Sequence, residues 1–419
     1  MTQAVIESPT SGSLPASEPI GADRPGSGSG TRERLDHIDA MRPIKQAGVV
    51  GTHSLLAFAP VASLGVGACL ILLHVTREAF LFVSACMLTY SCRGLGTGGL
   101  PTFYRRRFVA VGIPYLCWTL IYFLVTLPDF STGVSGSLVH LAYLAGTGYY
   151  QLYYLLVIMQ FYLLFPWLAR LIGRAKGYHG VVLVASGFVQ LIVVSLEHWT
   201  VLPSAFEGFW ATREITSYQF YLVAGMIVAL HLDQVHRWLS EHIRLVVSLT
   251  LASAAMAEGW YYLASTDLSR WLGSSSDPFQ PIVIPFNIGA IACIYLAGMA
   301  LVDRRRSHTV RAMVRSGSEN SYGVYLAQML FIVALSWIGW GRLTRVIPWP
   351  VLAVGSVAIV FLACVLLTSA LARTPLAKSL TGRTRTSWQT WLPGGPGARI
   401  DPAPPKPDLP GLKPDIAHG

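Results

Sequence analysis

The sequence predicts an all-α polytopic integral membrane protein with about ten transmembrane helices, and three observations lead there. The 419 residues are 53% hydrophobic and only 12% charged, with a mean hydropathy of +0.50, whereas soluble domains carry about 25% charged residues. Apolar runs of about 20 residues, the helical length that crosses a hydrocarbon core of about 30 Å, recur along the chain. Lysine and arginine crowd into alternate connections between those runs.

The runs fall at roughly 44–60, 66–91, 108–126, 150–171, 180–198, 214–231, 244–264, 281–302, 321–340 and 348–372. Arg42 anchors the first, with Pro43 tolerated in an opening helical turn. The connection before 108–126 carries Arg93, Arg105, Arg106 and Arg107, and the one after 150–171 carries Arg170, Arg174 and Lys176. Arg237 and Arg244 precede 244–264, and Arg304, Arg305, Arg306, Arg311 and Arg315 precede 321–340. The opposite connections hold only Arg77, Arg213, Arg270, Arg342 and Arg345. The bias places both termini in the cytoplasm and the protein in the cell membrane. It also accounts for the net charge of +10 through anionic inner-leaflet lipid, so membrane lipid is an expected partner and nucleic acid is not.

Residues 1–35, rich in Ser, Gly and Pro, and the Pro-rich residues 373–419 read as disordered cytoplasmic tails around a membrane domain spanning 36–372. The six cysteines show no metal-ligand spacing, so no metal and no bound cofactor is expected. Neither a glycine-rich phosphate loop nor a Gly-x-Ser-x-Gly elbow occurs.

Arg42 and His53 carry the strongest functional signal. Eleven helical steps return a side chain to almost the same face, about 16 Å further along, which sets His53 roughly halfway through the hydrocarbon core. Ionisable groups at that depth usually face a protein interior or a water-filled cavity, and they mark function. The bland alternative is a histidine bonded to a neighbouring helix with Arg42 as an anchor. Further polar candidates are His74 with Glu78, four apart on one face, and Glu258, Asn287, Glu319 and Asn320. The loop Phe103-Tyr104-Arg105-Arg106-Arg107 is either a topology signal or a clamp for donor phosphates.

Together these features resemble the acyltransferase-3 family of integral membrane O-acyltransferases. Arg42 and His53 match its Arg-x10-His motif, and Phe80-Leu81-Phe82-Val83-Ser84-Ala85 is similar to its Phe-Phe-x-x-Ser-Gly run. The Phe103–Arg107 stretch with Pro114, Tyr115 and Trp118 resembles its basic loop. Tyr153 to Pro166 looks like its fourth-helix pattern, and Asn320-Ser321-Tyr322-Gly323-Val324-Tyr325-Leu326 looks like its Ser-Tyr-x-x-Tyr-Leu signature. The likeness covers roughly residues 35–372. Ala85 stands where the family has glycine and Gln328 where many members have histidine, and Gln151-Leu152-Tyr153 lacks the common His-x-Trp.

The resemblance implies a ten-helix core that moves an acyl group, in the first instance acetyl, from cytoplasmic acetyl-CoA or another acyl-CoA. The acceptor is a hydroxyl of a cell-envelope glycan, glycolipid or lipid-linked sugar. His53 is then general base or covalent acyl relay, Arg42 orients the donor, and Arg105, Arg106 and Arg107 hold its nucleotide end. Ser84, His74, Glu78, Glu258 and Tyr322 are supporting candidates. Acceptor choice falls to the connections 127–148 and 199–213 or to envelope-biosynthesis protein partners. The rival is a transporter or flippase for a lipid-linked sugar or other envelope precursor, in which buried His and Glu carry protons or touch substrate.

Overall fold

The structure, a computed structural model, describes residues 29–60, 62–92, 99–126, 133–199, 211–265, 279–303 and 308–383. Every regular element among the described residues is helical. In chain order they are α1 (Ser29–Phe58), α2 (Leu64–Leu73), α3 (Val75–Ser91), α4 (Leu100–Val125), α5 (Gly133–Thr147), α6 (Tyr153–Arg174) and α7 (His179–His198). There follow α8 (Gln219–Leu230), α9 (Leu232–Glu241), α10 (Ile243–Ala264), α11 (Ile284–Asp303), α12 (His308–Trp337), α13 (Trp349–Leu371) and α14 (Ala377–Thr381).

Seven helical segments are long and apolar enough to cross a membrane: Leu64–Ser91, Leu100–Val125, Tyr150–Arg174, His179–His198, Ile243–Ala264, Pro281–Val302 and Trp349–Leu371. They coincide with seven of the ten expected runs. The other three runs are also helical. The run 214–231 is the shorter apolar helix Thr216–Leu230, while 44–60 and 321–340 occupy the second halves of the 30-residue helices α1 and α12. The protein is thus an all-α, multi-pass membrane protein. Its outer helices turn apolar side chains outward, Phe188 of α7 being 63% and Leu251 of α10 65% exposed, as expected where lipid is the solvent.

α1 is the central helix and packs against α3, α11, α12 and α13. Its polar sequence would not nucleate a span by hydropathy, so neighbours must supply its surroundings. Arg42 and Pro43 consequently lie in its middle, not in the opening turn that the sequence suggested. Proline removes the N–H that would bond to the Asp39 carbonyl, yet α1 continues without a break. Gly317 of α12 lies directly against Pro43, where an added Cβ would come within 2.8 Å of the proline Cβ. α3 pairs with α8 by the same device: a Cβ on Gly225 would meet the Phe82 carbonyl oxygen at 2.3 Å.

Two expected boundaries shift. The segment read as a loop at Arg105, Arg106 and Arg107 is helical, since α4 starts at Leu100 with a proline in its first turn. Order also persists past residue 372. α14 packs against α4, α12 and α13, Trp118 Nε1 donates to the Leu380 carbonyl at 2.9 Å, and Arg383 pairs with Glu319 at 2.9 Å and Asn320 at 3.0 Å. Those bonds account for Glu319 and Asn320, while Asn287 Nδ2 donates to the Tyr221 hydroxyl at 3.1 Å. The remaining tail residues, 1–28 and 384–419, and Arg93, Arg270, Arg304, Arg305 and Arg306 lie outside the described residues.

Candidate active site

A cavity of about 320 Å³ opens where α1, α3 and α12 meet the start of α6. α1 presents His53 to it, five residues and about 7.5 Å before the helix ends at Phe58. His53 is therefore nearer the end of its helix than the midpoint implied by the 44–60 run. Its Nδ1 is sealed and has no hydrogen-bond partner among the described residues. Nε2 is then the nitrogen available to the cavity.

The opposite wall comes from the turn Tyr150–Leu152 that leads into α6. Tyr150 stands edge-on to His53 at 5.1 Å between ring centroids. Gly148, with φ +76°, makes the preceding turn, where a Cβ would strike the Tyr153 backbone nitrogen at 2.5 Å. The turn is pinned to α12: Tyr325 donates its hydroxyl proton to the Gln151 carbonyl, and Tyr122 donates to the Leu326 carbonyl at 2.6 Å. Gln151 Nε2 in turn donates to the Tyr122 hydroxyl at 3.2 Å. The Gln46 carboxamide ties α1 to the same helix, donating to the Ser321 carbonyl at 3.3 Å and accepting from the Tyr325 N–H at 3.2 Å. His53 and Tyr150 thus sit on elements cross-linked through one helix.

Two guanidiniums line the cavity. Arg77 pairs with Glu78 at 2.8 Å and lies over the rings of Phe279 and Tyr218, 4.4 and 5.0 Å from their centroids. Arg213, at the end of the short turn Ala211–Arg213, donates from Nε to the Thr147 carbonyl at 2.8 Å and from Nη1 to Thr212 Oγ1 at 3.0 Å. Its guanidinium lies 5.3 Å from the Tyr153 ring centroid.

The structure brings together only part of the set expected from sequence. His53 and His74 line the cavity. His74 marks a turn between α2 and α3 inside the expected second span. Glu78 does not line the cavity but fixes Arg77, which does. Arg42 stands apart, about 16 Å below His53 along α1, with its Nη2 3.2 Å from Asp39 Oδ1 and both side chains over a third exposed. Ser84, Glu258 and Tyr322 do not line the cavity either. Glu258 lies in α10, which packs against α11 and α2, and the ring of Tyr322 lies against Gly382.

Arg105 and Arg106 are exposed on α4, whereas Arg107 donates from Nη2 to Ser91 Oγ at 3.2 Å and to Cys92 Sγ at 3.9 Å. Cys92 belongs to a separate pocket of about 310 Å³ at the other end of α3, lined also by Leu100, Arg170 and Gly173. The sequence reading passed over Lys45, which is 1% exposed with Nζ 4.1 Å from the centroid of Phe80. Phe80 is itself a wall of the cavity. Lys45 lay within the first run and was readable there; Arg213 gave no signal beyond its place at the edge of a run.

The helical membrane bundle thus encloses one cavity lined by two histidines and two arginines. A family model described as an acyltransferase domain matches residues 35–368, and the chain belongs to that acyltransferase-3 family. No curated protein and no solved structure matches it.

Proposed function

We propose that the protein transfers an acyl group, acetyl in the first instance, from acyl-CoA on the cytoplasmic side to a hydroxyl of a cell-envelope glycan, glycolipid or lipid-linked sugar. The observation that carries this reading is His53, which has one ring nitrogen sealed and the other facing the cavity. A neutral imidazole suits removal of a hydroxyl proton. As that proton passes to Nε2, the acceptor oxygen forms the new bond to the acyl carbon. The carbon–sulfur bond breaks, and the departing thiolate takes up the proton that His53 releases.

The arginine distribution supports an approach from two ends. Arg170 lines the pocket at Cys92 and Arg107 bonds to Cys92 itself, with Arg105 and Arg106 exposed on the same helix α4; guanidinium groups suit the phosphates of a nucleotide thioester. The positive-inside bias puts that end in the cytoplasm, with both termini there and the protein in the cell membrane. His53 opens toward the opposite end, so donor and acceptor need not compete for one mouth. Arg42, off the cavity, lies on the donor's side of His53.

The test is to incubate the purified protein with radiolabelled acetyl-CoA and an envelope extract. Label should reach an acceptor with wild type and fall about 10²–10⁴-fold with His53→Gln, which keeps size and hydrogen bonding. Near-normal transfer by a folded His53→Gln variant would eliminate the base. Acceptor movement across vesicles without label transfer would favour carriage over chemistry.

A further inference from the structure

His53 and Arg77 line the same cavity from neighbouring helices. α1 and α3 run antiparallel and approach closely: a Cβ on Gly48 would come within 2.3 Å of Thr76 Cγ2, and one on Gly51 within 3.7 Å of Leu73 Cδ1, just before α3 begins. Arg77 follows Thr76 in the first turn of α3. Helical side chains lean toward the N-terminus of their own helix. Arg77 therefore leans toward the level of Leu73 and Gly51, two residues short of His53 on α1.

The guanidinium is ordered before any substrate arrives. Nε and Nη2 both donate to Glu78 Oε1, at 3.2 and 2.8 Å, and the rings of Phe279 and Tyr218 bracket the cation. Tyr153, another wall of the cavity, interacts with the same charge. Nη1 makes no bond among the described residues, so it is the nitrogen left for a group in the cavity. Glu78 is 3% exposed and matches the charge of Arg77 from outside the cavity. A pair neutral as a whole has little hold on a resting anion. A fixed N–H beside it still stabilises an oxygen that becomes negative only in the transition state, and an interaction confined to that state raises kcat and leaves KM alone.

We propose that Arg77 is a second catalytic residue, whose Nη1 donates to the thioester carbonyl oxygen and stabilises the oxyanion formed there. This rests on the acyl-transfer reading. The acceptor oxygen bonds to the acyl carbon as its proton passes to His53 Nε2, and the carbonyl electron pair moves onto the oxygen at Arg77 Nη1. The pair then returns to re-form the carbonyl, the carbon–sulfur bond breaks, and the departing thiolate takes the proton from His53. Glu78 is a positioning residue: it spends Nε and Nη2 and so fixes where Nη1 points.

The experiment titrates radiolabelled acetyl-CoA against purified protein and a fixed amount of envelope extract, and reads kcat and KM for the donor. Two variants separate catalysis from charge balance. Arg77→Gln combined with Glu78→Gln removes both charges together, so no buried carboxylate is left unmatched. It should lower kcat about 10²–10³-fold, the usual loss when one oxyanion donor is removed, with KM for acetyl-CoA little changed. Arg77→Lys keeps the charge opposite Glu78 but has a single nitrogen, which cannot serve Glu78 and the carbonyl oxygen together. It should fold, by thermal unfolding in the same detergent, and lose kcat to a similar degree; it carries the test if the double variant does not fold. Wild-type kcat in either folded variant, or a loss expressed in KM alone, overturns the proposal. Transfer that survives in both variants yet disappears in His53→Gln overturns this assignment and leaves the acyl-transfer reading standing. A wild type that passes no label to any acceptor overturns both.

Discussion

Tyr150 meets His53 edge-on at 5.1 Å, and it is the one residue other than glycine with a positive φ, +40°, among the described residues. A bulky side chain in left-handed backbone costs of order 1–3 kcal/mol and persists only where its surroundings impose it. The next residue, Gln151, is held by bonds from Tyr325 and to Tyr122. Tyr150→Asn, which accepts that backbone more readily, should hold or raise Tm while lowering transfer about tenfold. Loss of stability with unchanged transfer would show that the ring serves packing alone.

The three arginines of α4 should separate in their effects. Arg105 and Arg106 are exposed, and their joint replacement by alanine should raise KM for acyl-CoA while acceptor KM stays fixed, because phosphate contacts are charge-assisted. Arg107 is tied to Ser91 and Cys92, so Arg107→Ala should also loosen the join of α3 to α4 and lower Tm. Equal donor affinity in the double variant would reduce Arg105 and Arg106 to a topology signal.

Helix contacts give a sharp contrast between two glycines. A Cβ at Gly225 would lie 2.3 Å from the Phe82 carbonyl oxygen, whereas at Gly51 its nearest neighbours are the Leu73 and Val357 methyls at 3.7 and 3.9 Å. Gly225→Ala must push α8 off α3 and should cost about 1–3 kcal/mol or more, as overpacking does. Gly51→Ala should be near neutral. Thermal unfolding of the two purified variants in one detergent checks the order, and equal Tm values would contradict it.

Lys45 offers a test of what buried charge does in α1. Its ammonium rests on the Phe80 ring with no ion pair among the described residues, and a buried cation so placed is held at a desolvation cost. Lys45→Met keeps the length of the side chain and removes that cost, so Tm should stay level or rise. A marked fall would reveal a stabilising partner for the ammonium. Reduced transfer at unchanged Tm would show that the charge matters to the chemistry behind Phe80.

Most of the bundle could be read from hydropathy because lipid-facing helices such as α7, α10 and α13 must be apolar on nearly all sides. α1 and α12 were only half visible. Their first halves are polar, and their helicity depends on packing with each other and with α11 and α13, which local periodicity does not encode. The arginines of α4 looked like a loop because charge marks a membrane edge, although arginine is also a good helix former. His53 stood out because no other ionisable group lies near it in its run except Lys45. Arg213 did not, since its partners Thr147 and Tyr153 are some 60 residues away in sequence and meet it only in the folded chain.

The bond from Trp118 to the Leu380 carbonyl spans 262 residues, and it bears on how the protein is assembled. A chain made at about 5–20 residues per second takes roughly 13–52 s to cover that distance. For that interval the indole N–H of α4, buried in the finished fold, has no native acceptor, and an unmade bond in such a place is costly. Arg383, Glu319 and Asn320 close the same junction from α12. The last turn of the described chain is therefore a latch that sets the order of events during synthesis: early helices remain provisional until the carboxyl-terminal residues arrive to lock them.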